Sequence, residues 1–120
     1  MIEYITAFMQ DLQSKKIENL RKWFSPTSRL WMAPVKPVEG ASRILVMFRK
    51  IFARYTELNW KVTRIYPVDT RTFIYETDSW GMIGKSQPYK NNILTIIEFD
   101  ESGKIVWLSD YFKDIAIFGR

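Results

Sequence analysis

The first half of the chain carries apolar residues at the spacing of amphipathic helices. Ile5, Phe8 and Leu12 recur three or four positions apart, so a helix would present all three on one side. Ser42 precedes a wide apolar stripe and can accept a hydrogen bond from an unpaired backbone N–H at the start of a helix. The pattern predicts helices over 2–12, 17–24 and 42–55, with a short strand over 29–33 between the second and the third.

The second half changes to the pattern of β-strands. From residue 59 onward, β-branched and aromatic residues dominate, and turn-forming residues interrupt them. The segment from Asp100 to Gly103 is the clearest turn, because a type I turn followed by a left-handed glycine joins antiparallel strands. Four strands are predicted, over 59–66, 71–80, 91–99 and 104–112. Helices followed by a meander predict an α+β domain with three N-terminal helices packed on one face of a curved antiparallel sheet.

Alternation along the predicted strands divides their side chains between two faces. Both faces hold large apolar groups, although three short helices can cover only one of them. The second face therefore predicts a partner, since monomers rarely expose large apolar patches. Four aromatic residues are assigned to this outer face: Phe73, Tyr75, Trp107 and Tyr111.

Asp110 is the most informative residue, because alternation places it with Leu108 and Phe112 on a mostly apolar face. A lone buried carboxylate needs partners or an elevated pKa. Asp78 and Glu76 stand two positions apart on another strand and are expected to share that face, where clustered carboxylates can supply an acid or base near neutral pH. The alternative is that Asp110 pairs with a nearby Arg, Lys or Tyr, or that strand twist turns these groups toward solvent.

Composition narrows the chemistry that these residues can perform. The chain has 120 residues, 47% of them hydrophobic, which is typical of one globular domain spanning 1–120. It contains no Cys and no His, which excludes disulfides, thiolate nucleophiles and imidazole bases. Catalysis would depend on Asp, Glu, Lys, Arg, Tyr or Ser.

Charge and hydropathy limit the expected partners. The net charge of +5 comes from basic residues scattered along the chain, so no nucleic-acid partner is expected. The carboxylates lack the spacing of a metal-binding loop, and we expect no metal and no cofactor. Apolar runs such as 44–48 are far shorter than the ~20 residues of a membrane span. We therefore expect no membrane association, and with no signal segment at the N-terminus we expect a cytoplasmic protein.

The C-terminal segment resembles a known family. Its sequence, Gly103-Lys-Ile-Val-Trp-Leu-Ser-Asp110-Tyr-Phe-Lys-Asp114, is similar to the terminal hairpin of SnoaL-like proteins, which belong to the nuclear-transport-factor-2-like, or cystatin-like, superfamily. The order of elements fits along nearly the whole chain. The resemblance implies a cone in which the sheet wraps a deep apolar pocket, and a homodimer formed through the outer face of the sheet. It also implies a pocket lined by Leu12, Leu30, Met32, Ile51, Trp80, Ile93, Thr95, Phe112 and Phe118.

Within this family the hairpin is most similar to members of the limonene-epoxide-hydrolase type. By that resemblance, Asp110 would deprotonate a water and Asp78 would protonate an epoxide oxygen. In that type an Arg bridges the two Asp residues, and a Tyr and an Asn help to hold the water. This chain has Glu76 at the position of the Arg, and Leu30 and Met32 at the positions of the Tyr and the Asn. Ketosteroid isomerase uses a general base, an oxyanion-hole Tyr and a protonated Asp. At the positions of these three residues, this chain has Ala33, Phe8 and Thr95.

Two functions are consistent with these residues. One is an acid/base enzyme of the isomerase, cyclase or epoxide-hydrolase type, in which Asp110 is the general base and Asp78, protonated beside Glu76, is the general acid. The other is a non-catalytic module that binds a ligand or forms a dimer. Both predict that the partner is a small apolar molecule.

Overall fold

Three helices form where the apolar spacing predicts them. A computed structural model describes residues 1–32 and 34–119, so the last residue of the predicted strand over 29–33 lies outside the described residues. The prediction that Ser42 caps the third helix is wrong, because the helix begins one residue earlier, after Gly40 at φ +94°, and has no side-chain cap. The helices are α1 (Ile2–Gln13), α2 (Ile17–Leu20, continued by a 3-10 turn at Arg21–Trp23) and α3 (Ala41–Arg54).

Six strands form one curved, open sheet. They are β1 (Arg29–Met32), β2 (Val38–Glu39), β3 (Tyr55–Pro67), β4 (Thr72–Ile83), β5 (Gln87–Phe99) and β6 (Ile105–Phe112), in the order β2-β1-β6-β5-β4-β3. The four long strands are an antiparallel meander. The sheet as a whole is mixed, because β1 pairs with β6 in parallel. The α+β cone is thus confirmed, with this correction to a purely antiparallel sheet.

The strands are longer than their sequence pattern predicts. β3 begins at Tyr55, directly after α3, since no glycine or proline separates them. β4 extends to Ile83 and β5 begins at Gln87, so the predicted loop over 81–90 shrinks to a tight connection. The predicted turn between β5 and β6 is confirmed: the N–H of Gly103 donates to the carbonyl of Asp100 at 3.1 Å, and Gly103 has φ +89°.

The main core lies between the helices and the inner face of the sheet. Phe8 of α1 and Phe48 of α3 are 1% exposed and make ring contacts with Phe24 between them, at centroid distances of 6.2 and 6.0 Å. Phe73 and Tyr75 of β4 also belong to this core. Their prediction as outer-face residues is wrong, because the odd-numbered positions of β4 point toward the helices.

The outer face of the sheet remains uncovered in the single chain. Trp107 and Tyr111 lie on this face as predicted, with Tyr111 53% exposed. Trp31 of β1 lies beside them and is also exposed. Among the residues that the structure describes, no helix has the length and apolar character needed to cross a membrane.

Candidate functional site

A cavity of about 250 Å³ opens between α3 and the inner face of the sheet. It lies where the strands curve away from the helix, beyond the main core. Its apolar lining consists of Met32, Met47, Ile51, Leu58, Trp60, Ile93, Phe112 and Phe118. This volume is close to the lower end of the ~300–1,000 Å³ range of ligand pockets, which suits a molecule with one or two rings.

The C-terminal segment forms one wall of the cavity. The 3-10 turn Ala116–Gly119 places the ring of Phe118 against Phe112, at a centroid distance of 5.0 Å. Asn91 of β5 fixes the segment, since its amide donates to the carbonyl of Asp114 and accepts from the N–H of Asp114, both at 3.0 Å. The buried side chain of Asn91 therefore shapes the pocket without lining it.

Among the described residues that line this cavity, Asp110 is the only carboxylic acid. In the sheet it lies opposite Met32 of β1 on one side and Thr95 of β5 on the other. The hydroxyl of Thr95 donates to Oδ1 of Asp110 at 2.6 Å. Burial raises the pKa of Asp110 to about 7, although the Thr95 hydrogen bond opposes that effect. The carboxyl can therefore both accept and release a proton near neutral pH.

Two phenols share the cavity with this carboxyl. Tyr89 of β5 and Tyr55 at the start of β3 both line it, and their rings meet edge to face at 5.2 Å. Burial raises the pKa of Tyr89 to about 12, and the nearby Asp110 adds to the effect. Burial also raises the pKa of Tyr55. Both hydroxyls therefore stay protonated at neutral pH, which is the form that donates a hydrogen bond.

Two cations stand where the cavity meets solvent. Lys50 and Arg54 are exposed and line the cavity together with Met47 and Ile51, which are neighbours on the same stripe of α3. This spacing of three and four positions turns all four side chains toward the cavity. The exposed Val35, in the loop after β1, lies on the rim of the same cavity.

Five of the nine predicted pocket residues line the cavity: Met32, Ile51, Ile93, Phe112 and Phe118. Leu12 and Leu30 are buried in the main core instead, because the helices fill the closed end of the cone. Thr95 lies behind Asp110 and holds its carboxyl. Trp80 is wrong as a pocket residue, since it is 42% exposed and belongs to the outward-facing positions of β4.

Asp78 and Glu76 do not join Asp110, and their prediction on the same face is wrong. Residues directly opposite each other in paired strands share a face, and the register runs from Asp110 to Thr95 and on to Tyr75. The even-numbered positions of β4 therefore point outward. There Asp78 Oδ1 accepts from the Asn92 amide at 3.0 Å, and Glu76 Oε2 accepts from the Tyr66 hydroxyl at 3.1 Å.

Several residues that line the cavity were not predicted from the sequence: Pro34, Val35, Met47, Lys50, Arg54, Tyr55, Leu58, Trp60 and Tyr89. The α3 residues were detectable, because positions 47, 50, 51 and 54 continue the helical stripe at one margin of its apolar face. Tyr89 lies between the predicted strands over 71–80 and 91–99, so alternation did not assign it to a face of the sheet. No local signal indicated that Tyr55 begins a strand.

The sequence and the fold are both similar to those of known proteins. The family of SnoaL-like domains matches residues 5–108 of the chain. No curated protein sequence matches the chain significantly. Several hundred solved structures are similar, including other proteins with a fold of the nuclear-transport-factor-2 type.

Three of these structures illustrate the kinds of protein that share the fold. A Catenulispora acidiphila protein with a ketosteroid-isomerase-like fold, in complex with trimethylamine, has a TM-score of 0.85 at 16% identity, covering 98% of this chain and 90% of that one. A putative SnoaL-like polyketide cyclase from Jannaschia has a TM-score of 0.82 at 12% identity, covering 98% and 88%. An epoxide hydrolase from M. tuberculosis, of the limonene-epoxide-hydrolase-like type, has a TM-score of 0.77 at 19% identity, covering 98% and 86%. At these identities the likeness establishes the fold.

Proposed function

Because the chain belongs to the family of SnoaL-like domains, we propose that its cavity binds a small, largely apolar molecule and that Asp110 acts there as a general base. The observation that carries the proposal is the carboxyl of Asp110, which lines a mostly apolar pocket and whose pKa is raised by burial to about 7. A base of this pKa combines a large ionised fraction at neutral pH with useful proton affinity.

The reaction class that fits this site is proton transfer of the isomerase or cyclase type. Asp110 takes a proton from an acidic C–H, and the protonated phenols of Tyr89 and Tyr55 donate hydrogen bonds to the oxygen on which negative charge develops. The apolar walls exclude water and strengthen both interactions. The proton held on Asp110 can then return to another atom of the same molecule, which completes an isomerisation.

An epoxide-hydrolase scheme that uses Asp78 as the acid is not supported by this geometry. Asp78 is exposed on the opposite face of the sheet, so its carboxyl cannot reach a molecule held beside Asp110. Among the described residues lining the cavity, the groups that can donate a proton to a leaving oxygen are therefore the phenols of Tyr55 and Tyr89 and the ammonium of Lys50, and not a second carboxylic acid.

The direct test uses 2-tetralone, an apolar bicyclic ketone with acidic C–H groups next to its carbonyl. We expect the protein to accelerate exchange of those hydrogens for deuterium, measured by NMR in deuterium oxide. The rate should rise with pH through about 7, the pKa of Asp110, because only the carboxylate accepts a proton. Asp110→Asn should lower the rate by at least ~100-fold, the usual contribution of a general base.

The outward-facing Asp78 offers a matched control, since Asp78→Asn removes the same charge and should leave exchange unchanged. The alternative function, a non-catalytic binding module, predicts a different result. In that case 2-tetralone binds, as seen by calorimetry, but neither the protein nor its Asp110→Asn variant changes the exchange rate. That outcome would overturn the role of Asp110 as a base.

We further propose that two copies of the chain associate through the outer face of the sheet. Supporting this, Trp31 and Tyr111 are exposed there around the half-buried Leu94 and Ile96. Trp107 lies at the same face, where it stacks with the guanidinium of Arg29 at 5.2 Å. An exposed apolar surface rimmed by charge is typical of a protein interface.

A further inference from the structure

The two cations at the cavity mouth have no carboxylate partner in the part of the chain that the structure describes. Of the ion pairs among residues 1–32 and 34–119, none involves Lys50 or Arg54. Other basic residues do form such pairs, including Lys22 with Asp11 at 3.2 Å and Arg71 with Glu101 at 3.1 Å. The positive charge at the mouth is therefore available to a bound molecule.

The placement of these cations is set by the helix. They lie one turn apart, and together with Met47 and Ile51 they form the stripe of α3 that faces the cavity. The C-terminal end of a helix carries negative partial charge, which stabilises cations in its last turn. That effect accounts for Arg54, the basic residue in the last turn of α3, but not for Lys50 or for the position of both cations on the stripe that borders the cavity.

The cavity is electrically asymmetric as a result. Its mouth carries two positive charges, its walls are mostly apolar, and Asp110 is the only acid among the described residues that line it. The charge of Arg54 acts on the Tyr55 hydroxyl, where it opposes the effect of burial on the pKa.

We propose that the molecule bound in this cavity is an amphipathic carboxylic acid, whose carboxylate is held by Lys50 and Arg54 at the mouth while its apolar body extends toward Asp110. This inference rests on the proposed binding function and specifies its substrate class. A carboxylate suits the site because the planar guanidinium donates two parallel hydrogen bonds to it, and the lysine ammonium adds a third donor. Anchoring the acid at the mouth also keeps it apart from Asp110, since neither cation contributes to the pKa shift of that carboxyl.

The test compares two probes of nearly the same size and shape, one anionic and one neutral. Binding of 2-naphthoate and of the neutral 2-naphthamide is measured by calorimetry at low ionic strength, with the intact chain. We expect the acid to bind at least about ten-fold more tightly than the amide, because hydrogen bonds that involve an ionised group are the stronger kind. The preference should weaken in high salt, since the mouth is exposed to solvent.

The double variant Lys50→Gln/Arg54→Gln should lose the preference for the acid and keep its affinity for the amide. A matched control is Arg43→Gln/Arg49→Gln, which removes two charges from exposed positions of the same helix that do not line the cavity. This control should retain the preference, so that a general effect of net charge is separated from an effect at the mouth.

The other outcomes discriminate between the two proposals. If both probes bind equally to the unmodified chain, or if both double variants weaken the acid to the same extent, the anionic substrate class is wrong while the binding function stands. If neither probe binds, the proposed binding function and the substrate class are both overturned. Retained amide binding in Lys50→Gln/Arg54→Gln also shows that the variant folds.

Discussion

Thr95 acts on the proposed base through one hydrogen bond. Its hydroxyl donates to Asp110 at 2.6 Å, which stabilises the carboxylate and holds its pKa below the value that burial alone would produce. A hydrogen bond to a charged group contributes about 1.5–3 kcal/mol, and one pKa unit corresponds to about 1.4 kcal/mol. The working pH of the site is thus sensitive to a single buried hydroxyl.

Replacement of this hydroxyl gives a prediction about pH dependence. Thr95→Val keeps the shape of the side chain and removes the donor, so the pKa of Asp110 should rise further, by about one to two units. The deuterium exchange of 2-tetralone should then reach its half-maximal rate at a correspondingly higher pH. An unchanged pH profile would show that Thr95 does not tune Asp110.

The neighbouring Thr77 provides a control for this variant. It also lies on the inner face, is 1% exposed, and has no hydrogen-bond partner for its hydroxyl among the described residues. Because a buried unpaired hydroxyl costs about 1–3 kcal/mol, Thr77→Val should raise the free energy of unfolding. It should leave the pH profile where it is.

The sequence could identify Asp110 but not the residues that act with it. Asp110 stands out because its even-numbered neighbours on the same strand, such as Leu108, are apolar. This pattern can be recognised without knowing how the strands pair. Tyr89 and Tyr55 reach the same cavity only through strand pairing and through the start of β3. Such long-range placement depends on tertiary packing, which no local pattern reports.

At the scale of secondary structure elements, Gly81 controls how β3 and β4 meet. A Cβ at this position would lie 1.9 Å from the backbone oxygen of Glu57. The close approach occurs beside a break in register between Tyr55 and Glu57, at the part of β3 that supplies Tyr55 and Leu58 to the cavity wall. Only glycine lets the two strands come this near at that point.

Gly81→Ala should therefore damage both stability and binding. The added methyl group must push β3 away from β4, at a cost of about 1–3 kcal/mol in the free energy of unfolding. The displacement should also weaken binding of 2-naphthamide. Denaturant titration and calorimetry measure the two effects.

Gly119→Ala is the matched comparison, because a Cβ there meets nothing within 4 Å. This variant should change the free energy of unfolding by less than about 0.5 kcal/mol. Equal effects of the two variants would mean that the close approach at Gly81 does not shape the cavity.

The elements themselves were largely predictable, whereas the orientation of one strand was not. The three helices and the four long strands follow from apolar spacing and from turns such as Asp100–Gly103. Alternation along β4 separates Tyr75 from Glu76 correctly, but both faces of that strand carry large apolar groups. Which face points inward is decided by the register with β5, and a shift of one residue exchanges the two faces.

At the scale of the whole molecule, the uncovered face of the sheet predicts the oligomeric state. We expect a dimer in sedimentation velocity experiments. Leu94 and Tyr111 are neighbours at the centre of this face. The double variant Leu94→Arg/Tyr111→Arg should dissociate the dimer, because it brings positive charges of the two copies against each other. Circular dichroism should show that the monomer keeps its fold.

Val68→Arg is a suitable control for the dimer, since Val68 is 58% exposed in the turn between β3 and β4, away from the centre of that face. It should leave the sedimentation coefficient unchanged. If the unmodified chain sediments as a monomer at high concentration, the proposed interface is wrong.

The wall that Phe118 contributes differs in kind from the rest of the cavity. Apart from the loop residues Pro34 and Val35 at the rim, the other sides are helix and sheet, which open only when large cooperative units unfold. This side is a single 3-10 turn, tethered by Asn91 and by ring contacts with Phe112, and such turns have weak hydrogen bonds. We therefore expect the opening of the turn Ala116–Gly119 to limit how fast a bound molecule leaves, so that changes in this turn alter the residence time separately from the affinity.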